Sequence, residues 1–185
     1  ILQNPERAYK ALYTVIDECI KRDCYVVVDW HCHNIRLNEA KQFFTRVATD
    51  YGDKANIIYE IFNEPEYQSW AEVKAYSEEV IETIRAIDPD NLIIVGCPHW
   101  DQDVDIVADD PIKGFDNLVY SFHFYAATHQ QANMDRCDYA LAKGLPLIIS
   151  ECGGMDHLGQ GMVDIEWWGR WTNWARSNDI GWIAW

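Results

Sequence analysis

Tyr59-Glu60-Ile61-Phe62-Asn63-Glu64-Pro65 decides how the chain is read. Ile57, Ile58, Tyr59, Ile61 and Phe62 predict a buried strand that stops abruptly at Asn63, Glu64 and Pro65. An apolar run thus carries an amide and a carboxyl to its C-terminal end. Pro65 prevents continuation, because it has no N–H to give a ladder. In parallel α/β sheets and barrels, that end of a strand is where chemistry gathers.

Working outward, the same unit recurs six times: strand, turn, helix. Strands are expected at 25–31, 57–62, 92–96, 118–123, 147–151 and 181–185. Helices are expected from the Asn4-Pro5-Glu6 cap onward and at 37–51, 70–87, 130–143 and 164–178, with a short one at 104–108. Asn as cap, Pro in the first turn and Glu near the positive dipole end form a coherent helix start. The strands are short and apolar on both faces, which predicts a parallel sheet. No G-x-G-x-x-G or Walker loop follows any of them, so a nucleotide-binding open sheet lacks its signature. The expected fold is therefore α/β of the (β/α)8 TIM-barrel type, with about six βα units in this chain. In such a barrel the reactive residues come from several strand ends. His31, Glu64, His123 and Glu151 are each expected to end a strand.

Composition narrows the partners. The 185 residues are 49% hydrophobic, enough for one domain with a sizeable core. A net charge of −15 argues against nucleic acid and anionic membranes, because phosphate would repel the chain. No apolar run reaches membrane-spanning length, and no signal peptide is read in the sequence. Nine Trp suit either core filling or flat stacking surfaces for sugars. Cys19, Cys24, Cys32, Cys97, Cys137 and Cys152 show no metal-ligand spacing, so neither a metal nor another cofactor is expected. Cys19, Cys24, Cys97 and Cys137 read as small core residues.

If the strands are parallel, Glu64 and Glu151 meet across one rim. Two carboxyls flanking a substrate are the minimum apparatus for glycoside hydrolysis. One is kept protonated to donate to the leaving oxygen, and the other stays ionised to attack the anomeric carbon. Burial and hydrogen bonds would hold their pKa values apart.

At these residues the chain resembles glycoside hydrolase family 5, specifically the bacterial endo-β-1,4-glucanases of clan A. The motifs are Val28-Asp29-Trp30-His31, Ile58-Tyr59-Glu60-Ile61-Phe62-Asn63-Glu64-Pro65 and Asp88-Pro89-Asp90-Asn91-Leu92-Ile93-Ile94-Val95-Gly96. His123-Phe124-Tyr125-Ala126-Ala127-Thr128-His129 and Ile149-Ser150-Glu151 follow in order. The resemblance implies a retaining mechanism with Glu64 as acid/base and Glu151 as nucleophile. It implies that Asn63 binds the sugar 2-hydroxyl, that His31 and His123 line the reacting subsite, and that Tyr125 hydrogen-bonds the nucleophile. Trp185 matches the platform under the sugar at the cleaved bond, and Trp100 matches a family cleft tryptophan. The implied substrate is a β-1,4-glucan or cello-oligosaccharide, with mannan, xyloglucan or mixed-linkage glucan as alternatives. A weakly active or inactive glucan-binding barrel portion is a further alternative. The implied location is secreted or extracellular.

Set against the family's eight strands, residues 1–185 correspond to strands three to eight of a partial catalytic domain. An arginine that in the family pairs with the nucleophile belongs to the second strand, which the chain does not contain. Closure of the barrel is expected through a second copy or through strands from another piece of polypeptide, because open apolar edges invite pairing.

Overall fold

In the computed structural model, which describes residues 4–185, six parallel strands form one sheet in sequential order. They are β1 (Val26–Asp29), β2 (Ile57–Glu60), β3 (Ile93–Val95), β4 (Leu118–Tyr125), β5 (Leu147–Gly153) and β6 (Trp182–Ala184). The helices are α1 (Pro5–Lys21), α2 (Leu37–Tyr51), α3 (Trp70–Arg85), α4 (Pro98–Asp101), α5 (Val104–Asp109), α6 (Gln131–Ala142) and α7 (Ile165–Ser177). Each strand therefore hydrogen-bonds to the next, as half of a barrel requires. Only the edges β1 and β6 have one neighbour each.

Local chemistry sets the helix starts. The Asn4 side chain accepts from Arg7 N–H, and the Asp164 side chain accepts from Trp167 N–H. Ser69 and Glu72 make a reciprocal capping box at α3. One layer of the core then forms between strand and helix faces. Phe43, Phe44 and Val47 of α2 and Val73, Val80, Ile81 and Ile84 of α3 are fully excluded from water with Ile57, Tyr59, Ile93 and Val95. Tyr59 carries its hydroxyl to Asp88 at 2.6 Å, so a polar tip is buried with its partner. Gly96 is obligatory for close approach: a Cβ there would lie 2.2 Å from the Phe62 carbonyl oxygen.

Three expectations change. β1 is half-buried at Val27 and Asp29, not buried on both faces, because it is an edge strand. β4 and β5 run two residues past His123 and Glu151, since Phe124 pairs with Cys152 and Tyr125 with Gly153. His31 and Glu64 lie beyond the ends of β1 and β2 instead. The rim is thus uneven, with two groups inside strands and two in the turns after them. Finally, Cys24 is exposed rather than a core residue, and all six cysteines are free thiols.

Candidate active site

The turn after β2 is built by backbone bonds to both neighbours. Ile61 N–H donates to Ile94 O, Asn63 N–H to Trp30 O, and Glu64 N–H to Cys32 O. Tyr76 of α3 donates to Ile61 O at 2.7 Å from behind. Asn63 is buried at 3% exposure, and Glu64 projects from the turn as a half-buried carboxyl. The fixed backbone leaves Glu64 little freedom to leave the rim.

On β4, alternation sends Phe122 and Phe124 toward α7 and sends His123 and Tyr125 to the opposite face. Tyr125 donates to Glu151 Oε1 at 2.6 Å. Burial and the Glu151 carboxylate both push the Tyr125 hydroxyl up, so it stays a donor. His123, 1% exposed, meets Glu64 Oε1 through Nδ1 at 2.9 Å and Ser150 Oγ through Nε2 at 3.0 Å. Donor atoms of Glu64, His123 and Glu151 all lie within 4.8 Å of one another. The two carboxyls therefore face each other at close range, as two strands of one rim should place them.

Glu64, His123 and Glu151 are also the one group of three metal-type donors among the described residues. Both ring nitrogens of His123 are already committed to Glu64 and to Ser150, so this imidazole has no free lone pair to offer an ion.

Charge in the site is unevenly shared. Burial alone would drive the His123 cation out, but Asp101, Glu64 and Glu60 outweigh it and hold the ring at about 9. Burial would likewise raise Glu64, yet the bond from His123 and the charges of His33 and His31 hold its carboxyl below the usual range. Both directions favour an ion pair between Glu64 and His123 in the sugar-free site. Burial and Asp29 push Glu60 the other way, up to about 7.

These shifts predict how stability varies with pH. His123 is raised above its unfolded value of 6.5, so its contribution is complete below pH 6.5 and is lost as pH rises through about 9. Glu60 is raised too, and its contribution is lost as pH rises from 4.5 through about 7. Both act in the same direction. The urea midpoint should be lower at pH 9.5 than at pH 6. An equal midpoint would show that His123 is not held as a cation.

The remaining expected residues divide into two walls. His31 Nδ1 donates to Asp29 Oδ2 (2.8 Å), and the ring stacks on Trp185 with ring centroids 5.7 Å apart and planes 12° apart. Trp185 is 75% exposed, so its outer face is open to a flat ligand. Trp100 lies on the other wall, edge-on to Tyr67 at 6.0 Å. It lines a cavity of about 620 Å³ that reaches from Glu64 past His123 and Tyr125 to His129, Asn133 and His157. The cavity borders Glu64 and not Glu151.

All eight expected residues are on this rim, but sequence reading missed several of their neighbours. Glu60 and Asp101, both buried, stand 4.0 and 3.3 Å from His123 Nε2. His33 Nδ1 lies 3.6 Å from Glu64. His129 accepts Tyr125 N–H at 2.8 Å, and burial lowers it to about 4, so it is a neutral acceptor. A charged Glu60 within the apolar run Ile57–Phe62 was a readable signal of a buried polar network. Asp101 had no such signal, because Asp101-Gln102-Asp103 looks like a solvated loop.

The sequence matches the family described as Cellulase (glycosyl hydrolase family 5) over residues 2–185. It is 42% identical over 187 residues to Endoglucanase Z of Dickeya dadantii, covering all of this chain and 44% of that protein. It is 38% identical over 191 residues to an endoglucanase of Clostridium saccharobutylicum, covering all of this chain and 42% of that one. The chain thus spans less than half the length of these curated relatives. Among solved structures, the catalytic domain of Thermobifida fusca endoglucanase Cel5A superposes with a TM-score of 0.94 at 35% identity, over 99% of this chain and 63% of that one. A glutamate-to-glutamine form of the same domain, solved in complex with cellotetraose, superposes with a TM-score of 0.92.

Proposed function

Since the chain belongs to glycosyl hydrolase family 5, we propose that residues 1–185 carry the reacting centre of an endo-acting β-1,4-glucanase that works with retention. The observation that carries this reading is the approach of the Glu64 and Glu151 oxygens to within 4.8 Å. An inverting pair stands roughly 6.5–9.5 Å apart to admit a water, whereas a retaining pair stands about 5–5.5 Å apart. The short gap favours direct attack by one carboxylate.

In the proposed first step, Glu151 attacks the anomeric carbon while Glu64 gives a proton to the glycosidic oxygen. A C–O bond forms to Glu151 as the bond to the leaving sugar breaks. In the second step Glu64 takes a proton from water, whose oxygen displaces Glu151. Tyr125 directs the Glu151 oxygen it touches, and the cavity beside Glu64 and Trp100 would take the leaving portion of the chain. Trp185, stacked on His31, offers the platform for the sugar that is attacked. Asn63, buried beside Glu64, would hold the 2-hydroxyl. Preorganised donors of this kind act where charge develops.

The test is hydrolysis of carboxymethylcellulose and cellotetraose, with the product anomer followed by NMR. The β-anomer should appear first. Initial α-anomer would overturn retention, and no released reducing sugar at any pH would overturn the hydrolase reading. A panel with mannan, xyloglucan and mixed-linkage glucan settles substrate preference. Export from the cell, and pairing of the β1 and β6 edges with a second copy, belong to the same proposal. Light scattering that gives a monomer without dye-binding apolar surface would remove the second of these.

A further inference from the structure

Asp101 is a buried ionisable group for which the two-carboxylate scheme has no use. It is fully buried, and its Oδ2 has no hydrogen-bond partner in the protein. That oxygen lies 3.3 Å from His123 Nε2. Its other oxygen accepts Cys97 N–H. His99, Trp100 and Asp101 all adopt left-handed backbone (φ 57°, 55° and 58°), which non-glycine residues avoid. Strain of this kind persists only where surrounding structure over-determines it. Here Trp100 N–H is tied to Pro65 O at 2.9 Å, so the strained turn is fastened to the turn bearing Glu64.

We propose that Asp101 is a positioning residue for the acid/base: its carboxylate keeps His123 doubly protonated, and the His123–Glu64 pair thereby stores the proton that glycosylation consumes. This rests on the two-carboxylate reading given above. The transfer is a short one. The Nδ1–H bond of His123 breaks and an Oε1–H bond forms on Glu64 across 2.9 Å. A cation and an anion become two neutral groups, with His123 still protonated at Nε2 toward Asp101 and Ser150. Glu64 then passes the proton to the glycosidic oxygen. When Glu64 later takes a proton from water, the same path returns it to Nδ1.

The groups that face His123 come from five segments. Glu60 is on β2 at 4.0 Å and Glu64 on the turn after it at 2.9 Å. Asp101 is on α4, and Glu151 is on β5 with a donor atom within 4.8 Å. His129, after β4, is neutral. Burial raises the Asp101 carboxyl well above the ordinary carboxylate range, against the lowering pull of His123 and of Cys97 N–H. Without Asp101, Nε2 would face Ser150, an uncharged partner, and the distant Glu60.

Asp101→Asn is the test, because the amide keeps an oxygen for Cys97 N–H while it removes the charge and the acceptor that face His123 Nε2. NMR titration of ring-labelled histidine should show His123 losing its proton near 9 in the parent protein. In Asp101→Asn it should titrate at least about one pH unit lower, a tenfold change in proton affinity. The alkaline limb of kcat on cellotetraose should move down with it, while KM stays within about twofold. A structural defect would instead lower activity at every pH. An unmoved titration overturns the proposal, and so does a parent His123 that titrates below 7. If Asp101→Asn does not fold, Asp101→Ser goes through the same titration. A shifted His123 with no hydrolysis at any pH would leave the pairing standing and defeat the hydrolase reading. Hydrolysis with identical pH profiles would do the reverse.

Discussion

Replacing Glu151 by Ala should lower turnover of β-1,4-glucan on the order of 10⁴-fold, because the attacking atom itself is removed. Glu64→Ala should cost about 10²–10⁴-fold on a poor leaving group such as glucose, the range expected of a general acid. The loss for Glu64→Ala should nearly vanish in the first step on an aryl glycoside, whose leaving group needs no proton. Azide separates the two roles by stereochemistry. In Glu151→Ala it can enter only where the carboxylate stood, so it attacks once and gives the α-glycosyl azide. In Glu64→Ala the covalent intermediate on Glu151 still forms, and azide replaces water in the second step to give the β-azide. The measurement is the anomer of the azide product by NMR. Exchanged anomers would mean that acid/base and nucleophile have been assigned the wrong way round. Neither variant should unfold the chain, since the turn that holds Glu64 is bonded through its backbone groups and not through the carboxyl.

Much of this site was readable because strand ends are written in plain residue chemistry. Apolar runs followed by Asn63-Glu64-Pro65 or by Ser150-Glu151 announce a strand that delivers a carboxyl, and the parallel order brings both to one rim. The Trp residues could not be sorted by sequence. Trp30, Trp70 and Trp171 are buried, whereas Trp185 is open at the rim, and only packing distinguishes them. Two features depend on three-dimensional approach alone. Asp101 reaches His123 through a left-handed turn that no propensity anticipates. The protonation of the Glu64–His123 pair depends on a surplus of buried carboxylates around one imidazole, and their distances are set by three different elements. Periodicity could place each group on its strand or loop, but not count its neighbours.

Trp171→Ala should be the most destabilising single change in the helix layer. The indole is fully excluded from water, stacks on Phe124 at 4.7 Å and 15°, and lies 5.2 Å from Phe122. Its N–H donates to His129 O at 2.7 Å. Truncation should cost about 3–5 kcal/mol for lost transfer and the cavity left behind. An unpaired carbonyl at His129 adds roughly 1–3 kcal/mol. Against a total stability of about 5–15 kcal/mol, that leaves little margin. Trp171→Phe keeps a ring on Phe124 and loses the N–H, so it should cost less. The effect should also reach the site, because Phe122 and Phe124 flank His123 on β4, and His129, whose carbonyl Trp171 holds, receives Tyr125 N–H. Urea unfolding of both variants gives the ordering, and activity at a urea concentration where each remains folded separates support of the site from loss of fold. A Trp171→Ala midpoint no lower than that of Trp171→Phe would mean that the cavity closes by collapse. Since β4 carries both Tyr125 and His123, that collapse would be read directly as a changed distance from Tyr125 to Glu151 and a lower kcat.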